Sequence, residues 1–394
     1  MKTLKTNQDL AINGAVPLFE KEFYVGYPNI GDKKYFIECI EDVFDRRWLS
    51  NNGFYLKRFE KELMDFFKVK HVIPVCNATV GLEVAIKALG FKGEVIVPSF
   101  TFIATAHALQ WQGIKPVFCD ISRNDHTIDC ECIEKLITPK TTGIIGVNLW
   151  GNICDVKGIN RIAEENNLKV LYDSAHAFGS YKGETMVGSF GDCEVFSFHA
   201  TKVFNSFEGG AITTNNDELA EKIRLMINFG FKGYDNVVEI GLNAKMNEAC
   251  AVMGMTNLRD LNTFISHAQQ NQILYNKYLG EIEGIKLVTK YNRGNSGYYV
   301  VVEVDDVEYG ISRDRLYEIL HTENIKARRY FYPGCHRMEP YKTLYPTVGE
   351  HLSITNDICG KVLVFPNNEL ITEEVIVGIS ELLKFCHKNS VNLK

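Results

Sequence analysis

From Phe54 onward, short apolar runs alternate with stretches of helical spacing, and this alternation constrains the fold more than any other feature of the chain. In "FYLKRFEKELMDFF", Leu56, Phe59, Leu63, Phe66 and Phe67 share one helical face. "HVIPV" then reads as a buried strand, "VGLEVAIKALG" as a helix ending at Gly90, and "EVIVPS" as the next strand. "ATAHALQWQG", "KPVFCDI", "ECIEKLI", "TGIIGVNL", "VKGINRIAEENN" and "LKVLYDSA" continue the series. Strands that are apolar on both faces and joined by helices make a mostly parallel sheet covered on two sides, so this part of the chain is an α/β unit. Ligands of such sheets bind beyond the carboxyl ends of the strands, here the loops after "VIPV", "VIVPS", "VLYD" and "VFSF".

After "GGAITTNN", the segment "DELAEKIRLMINFG" has an acidic cap, helical spacing and a terminal glycine, and a long helical pattern follows from about Asn247 to Gly280. Beyond it, "IKLVTK", "GYYVVVEV", "ISRDRLYEILHTE", "IKARRYF" and "ITEEVIVGISELLKFCHK" mix strands and helices as a smaller α+β domain. The expected division is an N-terminal tail over 1–20, a large domain over 21–265 and a small C-terminal domain over 266–394.

A formal net charge of −6 without a basic tract argues against a general electrostatic grip on nucleic acid or anionic membrane. No window is apolar for long enough to cross a bilayer, and "MKTLKTNQDLAING" lacks the apolar core of a signal peptide, so a cytoplasmic protein is expected. The 11 cysteines are scattered without paired CxxC spacing, which points to reduced, mostly buried thiols and to no metal site.

Chemistry gathers at the four loops. In "CNATVGLE", Asn77, Ala78 and Thr79 open a helix whose free N–H groups suit an anion, although an ordinary cap is the commoner meaning. Phe102 in "PSFTFIAT" follows a strand end, where its ring reads either as core or as a surface for a flat ligand. Asp173 closes the apolar strand of "VLYDSAHA", with His176 three residues on, and a carboxylate there requires a cation or strong donors. Ser197 and Lys202 arrive together in "SFHATKVFNSFEGG". A lysine, an acid, an aromatic face and an anion cup are what pyridoxal 5′-phosphate (PLP) needs, and a desolvated lysine serves as nucleophile and proton shuttle.

"SFHATKVFNSFEGGAI", "VLYDSAHAFGSYKG", "VPSFTFIATAHAL" and "GLNAKMNEACAVMG" resemble the motifs of the DegT/DnrJ/EryC1/StrS family of PLP-dependent sugar aminotransferases, which have the aspartate-aminotransferase-like fold type I. The resemblance runs in order from "RRWLSNNGFYLKRFEKEL" to "ARRYFYPGCH". It implies that Lys202 forms the Schiff base, that Asp173 pairs with the pyridinium nitrogen and that His176 approaches the ring. By the same resemblance Phe102 packs on the ring, and Ala78, Thr79 and Ser197 bind the phosphate. Ala78 stands where the family usually has glycine, which leaves the contacts of that loop less defined. The resemblance further implies an obligate homodimer with shared sites, to which Asn243 and Lys245 of a neighbouring copy contribute.

The implied reaction transfers the amino group of L-glutamate, through the pyridoxamine form (PMP) of the coenzyme, to a keto sugar. "FHATKVFN" inclines the reading to a dTDP-4-keto-6-deoxyhexose and a 4-amino-4,6-dideoxyhexose product for surface polysaccharide. A 3-keto sugar, a UDP carrier or a small phosphorylated ketone would use the same catalytic groups. Trp48, Arg328, Arg329, Tyr332 and His336 lie in segments resembling the acceptor pocket, where guanidinium forks suit phosphates. The arginines read equally as solvated strand residues and Trp48 as core. Two rivals from other classes are a related dehydratase, disfavoured because Lys202 is present where those enzymes have histidine, and a non-catalytic ligand sensor. A nucleotide-binding oxidoreductase lacks its GxGxxG.

Overall fold

The computed structural model describes residues 2–289 and 294–393. Its centre is a sheet of β1 (His71–Val75), β2 (Glu94–Pro98), β3 (Lys115–Cys119), β4 (Thr141–Val147), β5 (Lys169–Asp173), β6 (Cys193–Ser197) and β7 (Gly210–Thr214). These strands lie in the order β1-β7-β6-β5-β4-β2-β3. Neighbours pair in parallel except for β7, which runs antiparallel between β1 and β6.

Adjacent strand residues face opposite sides, so each strand feeds two cores. On β6, Val195 joins Leu82, Ala85 and Ile86 of the helix Ala78–Leu89, whereas Phe196 joins Phe59, Leu63 and Phe67 of the helix Phe54–Phe67. Phe59 is fully buried, which makes its loss worth about 3–5 kcal/mol in a core of this density. Its ring lies over Gly254, where an added Cβ would stand 2.4 Å from it.

The helix Glu248–Leu279, capped by the Asn247 side chain, joins the two parts of the molecule. Val252 and Met255 pack in the core of the large sheet, and Tyr275 and Leu279 pack in a second core. That second core covers the antiparallel sheet β8 (Ile285–Leu287), β9 (Val300–Val304) and β10 (Val362–Phe365). Lys290, the last residue of "IKLVTK", lies outside the described residues.

Three features were not legible from periodicity. The stretch read as an N-terminal tail is folded onto the small domain: Leu10 and Leu18 are buried in its core, and the N–H groups of Ala11 and Leu18 donate to the Glu323 carboxylate. Phe23–Tyr24 then pairs in parallel with Ile325–Lys326. Finally, "GYYVVVEV" becomes strand only at Val300, which leaves Tyr298 and Tyr299 to turn toward the large domain. Among the described residues, no helix is long and apolar enough to cross a membrane.

Candidate active site

Beyond the carboxyl ends of β1, β2, β5 and β6 lies a cavity of about 370 Å³. Ala78, Thr79, Phe102, Asp173, His176, Ser197 and Lys202 all line it, together with Tyr299, Arg328 and Tyr330 from the small domain. The opening into the sheet depends on Gly210, where a Cβ would stand 2.9 Å from the Ala78 nitrogen and 2.6 Å from the Phe196 carbonyl oxygen. With that close approach, the helix Ala78–Leu89 starts directly at the cavity. Asn77 caps it by accepting the Val80 N–H at 2.9 Å. The Ala78 and Thr79 N–H groups have no carbonyl within their own helix to meet, and they face the cavity beside Ser197.

Lys202 is delivered by the loop after β6. Phe198 N–H donates to the Gly209 carbonyl and Ser206 N–H to the Phe198 carbonyl, both at 2.8 Å, while Lys202 N–H closes a turn on His199. Burial lowers the Lys202 amine to about 8, against the opposing pull of the Asp173 charge. Its Nζ lies 3.5 Å from the Tyr299 hydroxyl. Asp173 is buried and its carboxyl is pushed up by that burial, but three influences hold it down. Thr105 donates its hydroxyl at 2.8 Å, Ala175 donates its N–H at 3.1 Å, and Lys202 adds its charge. The His176 ring stacks on Tyr299 with centroids 4.3 Å apart. Burial, with the Lys202 charge, pushes His176 well below its ordinary range, which favours the neutral ring, and among the described residues its buried Nδ1 meets no partner.

Next to this cavity is a second, of about 280 Å³, lined by Arg329, Tyr332 and Tyr317 and sharing Phe102, Arg328, Tyr330 and Phe331 with the first. Arg329 is bound to Asp314 at 2.8 Å and stacks over Tyr317 and Tyr332. Arg328 stacks over Tyr330, and among the described residues it has no carboxylate partner. Its backbone is anchored to β10, with Arg328 N–H donating to Val364 at 3.0 Å.

Four residues singled out from the sequence do not reach either cavity. His336 is buried in the turn Cys335–Arg337, with Nδ1 against Ser99 Oγ at 2.7 Å and Nε2 against Asn356 Oδ1 at 3.0 Å, so both nitrogens are engaged in packing. Trp48 is 56% exposed and its indole N–H donates to Asn51. Asn243 is exposed, and Lys245 lies over the Phe229 ring beside a different cavity. Conversely, Thr105, Tyr299 and Tyr330 belong to the site without having been found. Thr105 had a signal, because a carboxylate at a buried strand end demands donors. The tyrosines had none: Tyr299 stands just before a strand that starts only at Val300, and Tyr330 lies beyond a strand that ends at Lys326.

The chain matches the model of the DegT/DnrJ/EryC1/StrS aminotransferase family over residues 31–384, and it belongs to that family. It is 39% identical over 367 residues to a dTDP-4-amino-4,6-dideoxy-D-glucose transaminase of Shigella dysenteriae, covering 93% of this chain and 99% of the relative. The transaminase of the same name from Escherichia coli is 35% identical over 92% of this chain and 98% of its own. The crystal structure of DesI in the presence of its TDP-sugar product superposes with a TM-score of 0.93 at 38% identity, over 98% of both chains. The protein is therefore a PLP-dependent transaminase of fold type I. The cavity fits that coenzyme on its own terms: an amine held near 8, a fixed carboxylate, an imidazole nitrogen unpartnered among the described residues and the N–H groups of a helix start line one space.

Proposed function

We propose that this transaminase moves an amino group from L-glutamate to C4 of a dTDP-4-keto-6-deoxyhexose, giving a 4-amino-4,6-dideoxyhexose for surface polysaccharide assembly in the cytoplasm. The observation that carries this reading is the full-length likeness to two transaminases of that sugar class.

When bound, pyridoxal 5′-phosphate supplies an electron sink for the pair released at the substrate carbon. Lys202 would hold the coenzyme through Nζ, and the same amine is the group placed to take up and return a proton at the substrate Cα. An amine near 8 is unprotonated in a useful fraction at neutral pH, which suits it to both tasks. Asp173 would pair with the ring nitrogen and keep it cationic, and the Thr105 and Ala175 bonds hold its carboxylate in place for that role. Ala78, Thr79 and Ser197 receive the phosphate at the helix start. Phe102 and His176 would bound the ring on the cavity walls. Arg328, with no carboxylate of its own among the described residues, binds the acceptor diphosphate, with Tyr332 and the Asp314-bound Arg329 forming the outer wall.

A second copy completes the site. The excursion from Asn228 to Asn243 carries Phe229, Phe231, Val237, Val238 and Ile240 in exposed positions, an apolar surface that suits burial against a partner. Asn243 and Lys245 stand at its base and serve the partner's cavity.

The test is a visible spectrum of the holoenzyme during addition of L-glutamate and then dTDP-4-keto-6-deoxyglucose. The coenzyme band should fall with the first and return with the second. A band that falls but returns only with another ketone would overturn the acceptor assignment.

A further inference from the structure

One buried carboxylate has no part in the chemistry above. Glu194 lies on β6 opposite Tyr172 of β5 and Thr213 of β7, and it is fully buried. Its Oε1 accepts the N–H groups of Gly188 at 2.6 Å and Phe190 at 2.8 Å, and its Oε2 accepts the Ser174 hydroxyl. Ser174 Oγ accepts in turn from the Asn148 side-chain amide at 2.9 Å, and the Asn148 backbone N–H donates to the Asp173 carbonyl at 2.9 Å. The Asn148 amide oxygen is occupied by the Cys154 N–H. This chain of bonds crosses the ends of β4, β5 and β6 and joins the backbone that presents Asp173 and His176. It also leads into the turn Leu149–Gly151, whose Trp150 ring lies 5.5 Å from the His176 ring.

Among the described residues no cation pairs with Glu194. The titratable groups that feel its charge are the Tyr172 phenol and the Cys193 thiol, both raised chiefly by burial. Burial likewise raises Glu194, to about 7, against its three hydrogen bonds. A carboxylate only accepts hydrogen bonds, whereas a carboxylic acid must donate one. The two backbone N–H groups need acceptors in either state, so the proton on Glu194 has to point at Ser174. Protonation then reverses the Glu194–Ser174 bond and turns the serine hydroxyl away.

We infer that Glu194 is a positioning residue of this transaminase: through Ser174 and Asn148 it fixes the turn carrying Asp173 and His176, and the hold changes when Glu194 gains a proton. The inference rests on the reading that Asp173 and His176 face the coenzyme.

The experiment compares wild type, Glu194→Gln, Ser174→Ala and Ser174→Thr. In the holoenzyme, circular dichroism of the coenzyme band should titrate near neutral pH in wild type and Ser174→Thr, and not in Glu194→Gln or Ser174→Ala. The two broken variants should lose about tenfold in kcat, the scale of one hydrogen bond, with KM for L-glutamate changed less than about twofold. With coenzyme removed, amide exchange at residues 174–177 should be faster in both. Ser174→Ala leaves Glu194 its two backbone donors, so it carries the test even where Glu194→Gln fails to fold. Unchanged exchange, or an unchanged band titration and kcat in Ser174→Ala, would overturn the inference. Faster exchange in an enzyme whose wild type transfers no amino group would support the positioning claim and count against the functional reading instead.

Discussion

The hydroxyl of Tyr299 lies 3.5 Å from Nζ of Lys202, and the same tyrosine ring stacks on His176. A residue of the small domain thus touches two groups held by the large one. Tyr299 is buried, so its phenol meets the amine from the protein side of the cavity. Tyr299→Phe retains the ring and removes only the hydroxyl. We expect a folded enzyme whose kcat falls about 3- to 10-fold, the range of one modest hydrogen bond. Steady-state kinetics with L-glutamate check this, and an unchanged kcat would show that the phenol only packs.

Thr105 acts on the carboxylate of the site. Its hydroxyl donates to Asp173 Oδ2 at 2.8 Å, and it is fully buried. Thr105→Val preserves the shape and leaves that carboxylate with the Ala175 N–H as its remaining fixed donor. The folded protein should lose about 1.5–3 kcal/mol in urea denaturation at pH 7, because the bond is to a charged group. Burial then acts less opposed, so the Asp173 carboxyl rises further and the stability loss shrinks as pH falls and the acid becomes neutral. A loss independent of pH would mean that Asp173 is already protonated in the wild type.

How much of this was legible beforehand follows from where each residue's constraint is local. The central strands declared themselves because both faces are apolar, and Asp173, Ser197 and Lys202 stand at or just beyond their ends, where a break in the pattern is visible in one stretch of chain. Tyr299 is set by a strand that starts late, and Glu194 sits inside "CEVFS", where a single acid among apolar neighbours signals burial but not its partners. His336 was placed in the acceptor pocket by resemblance alone, and what holds it elsewhere is not local: its two nitrogens meet Ser99 and Asn356, which lie in other stretches of the chain.

The exposed excursion gives a third prediction. Ile240 is 74% exposed and Val238 49% exposed, so aspartates at both positions should fold normally as single chains. If the second copy buries this surface, the double variant Val238→Asp, Ile240→Asp should sediment as a monomer and lose most amino transfer. A dimer that persists with full activity would assign the interface elsewhere.

The last prediction concerns the cost of keeping Lys202 reactive. Its ordinary value is 10.5, and burial lowers it to about 8 in the folded protein. Between those values the unfolded chain binds a proton that the folded chain does not, so stability rises as pH passes from the lower to the higher. At pH 7 the folded protein therefore carries the full cost of confining an ammonium group. Lys202→Met has a similar length and no charge, and it removes that cost. Because Lys202 is only half-buried and solvent reaches the amine through the cavity, the gain should be discounted to about 2 kcal/mol. Coenzyme-free wild type and Lys202→Met should be compared by urea denaturation at pH 7 and again near pH 10.5. The methionine variant should be the more stable at pH 7, with the advantage fading at the higher pH. An advantage that is equal at both would trace to packing, and no advantage at pH 7 would mean that Asp173 stabilises the ammonium as well as water does.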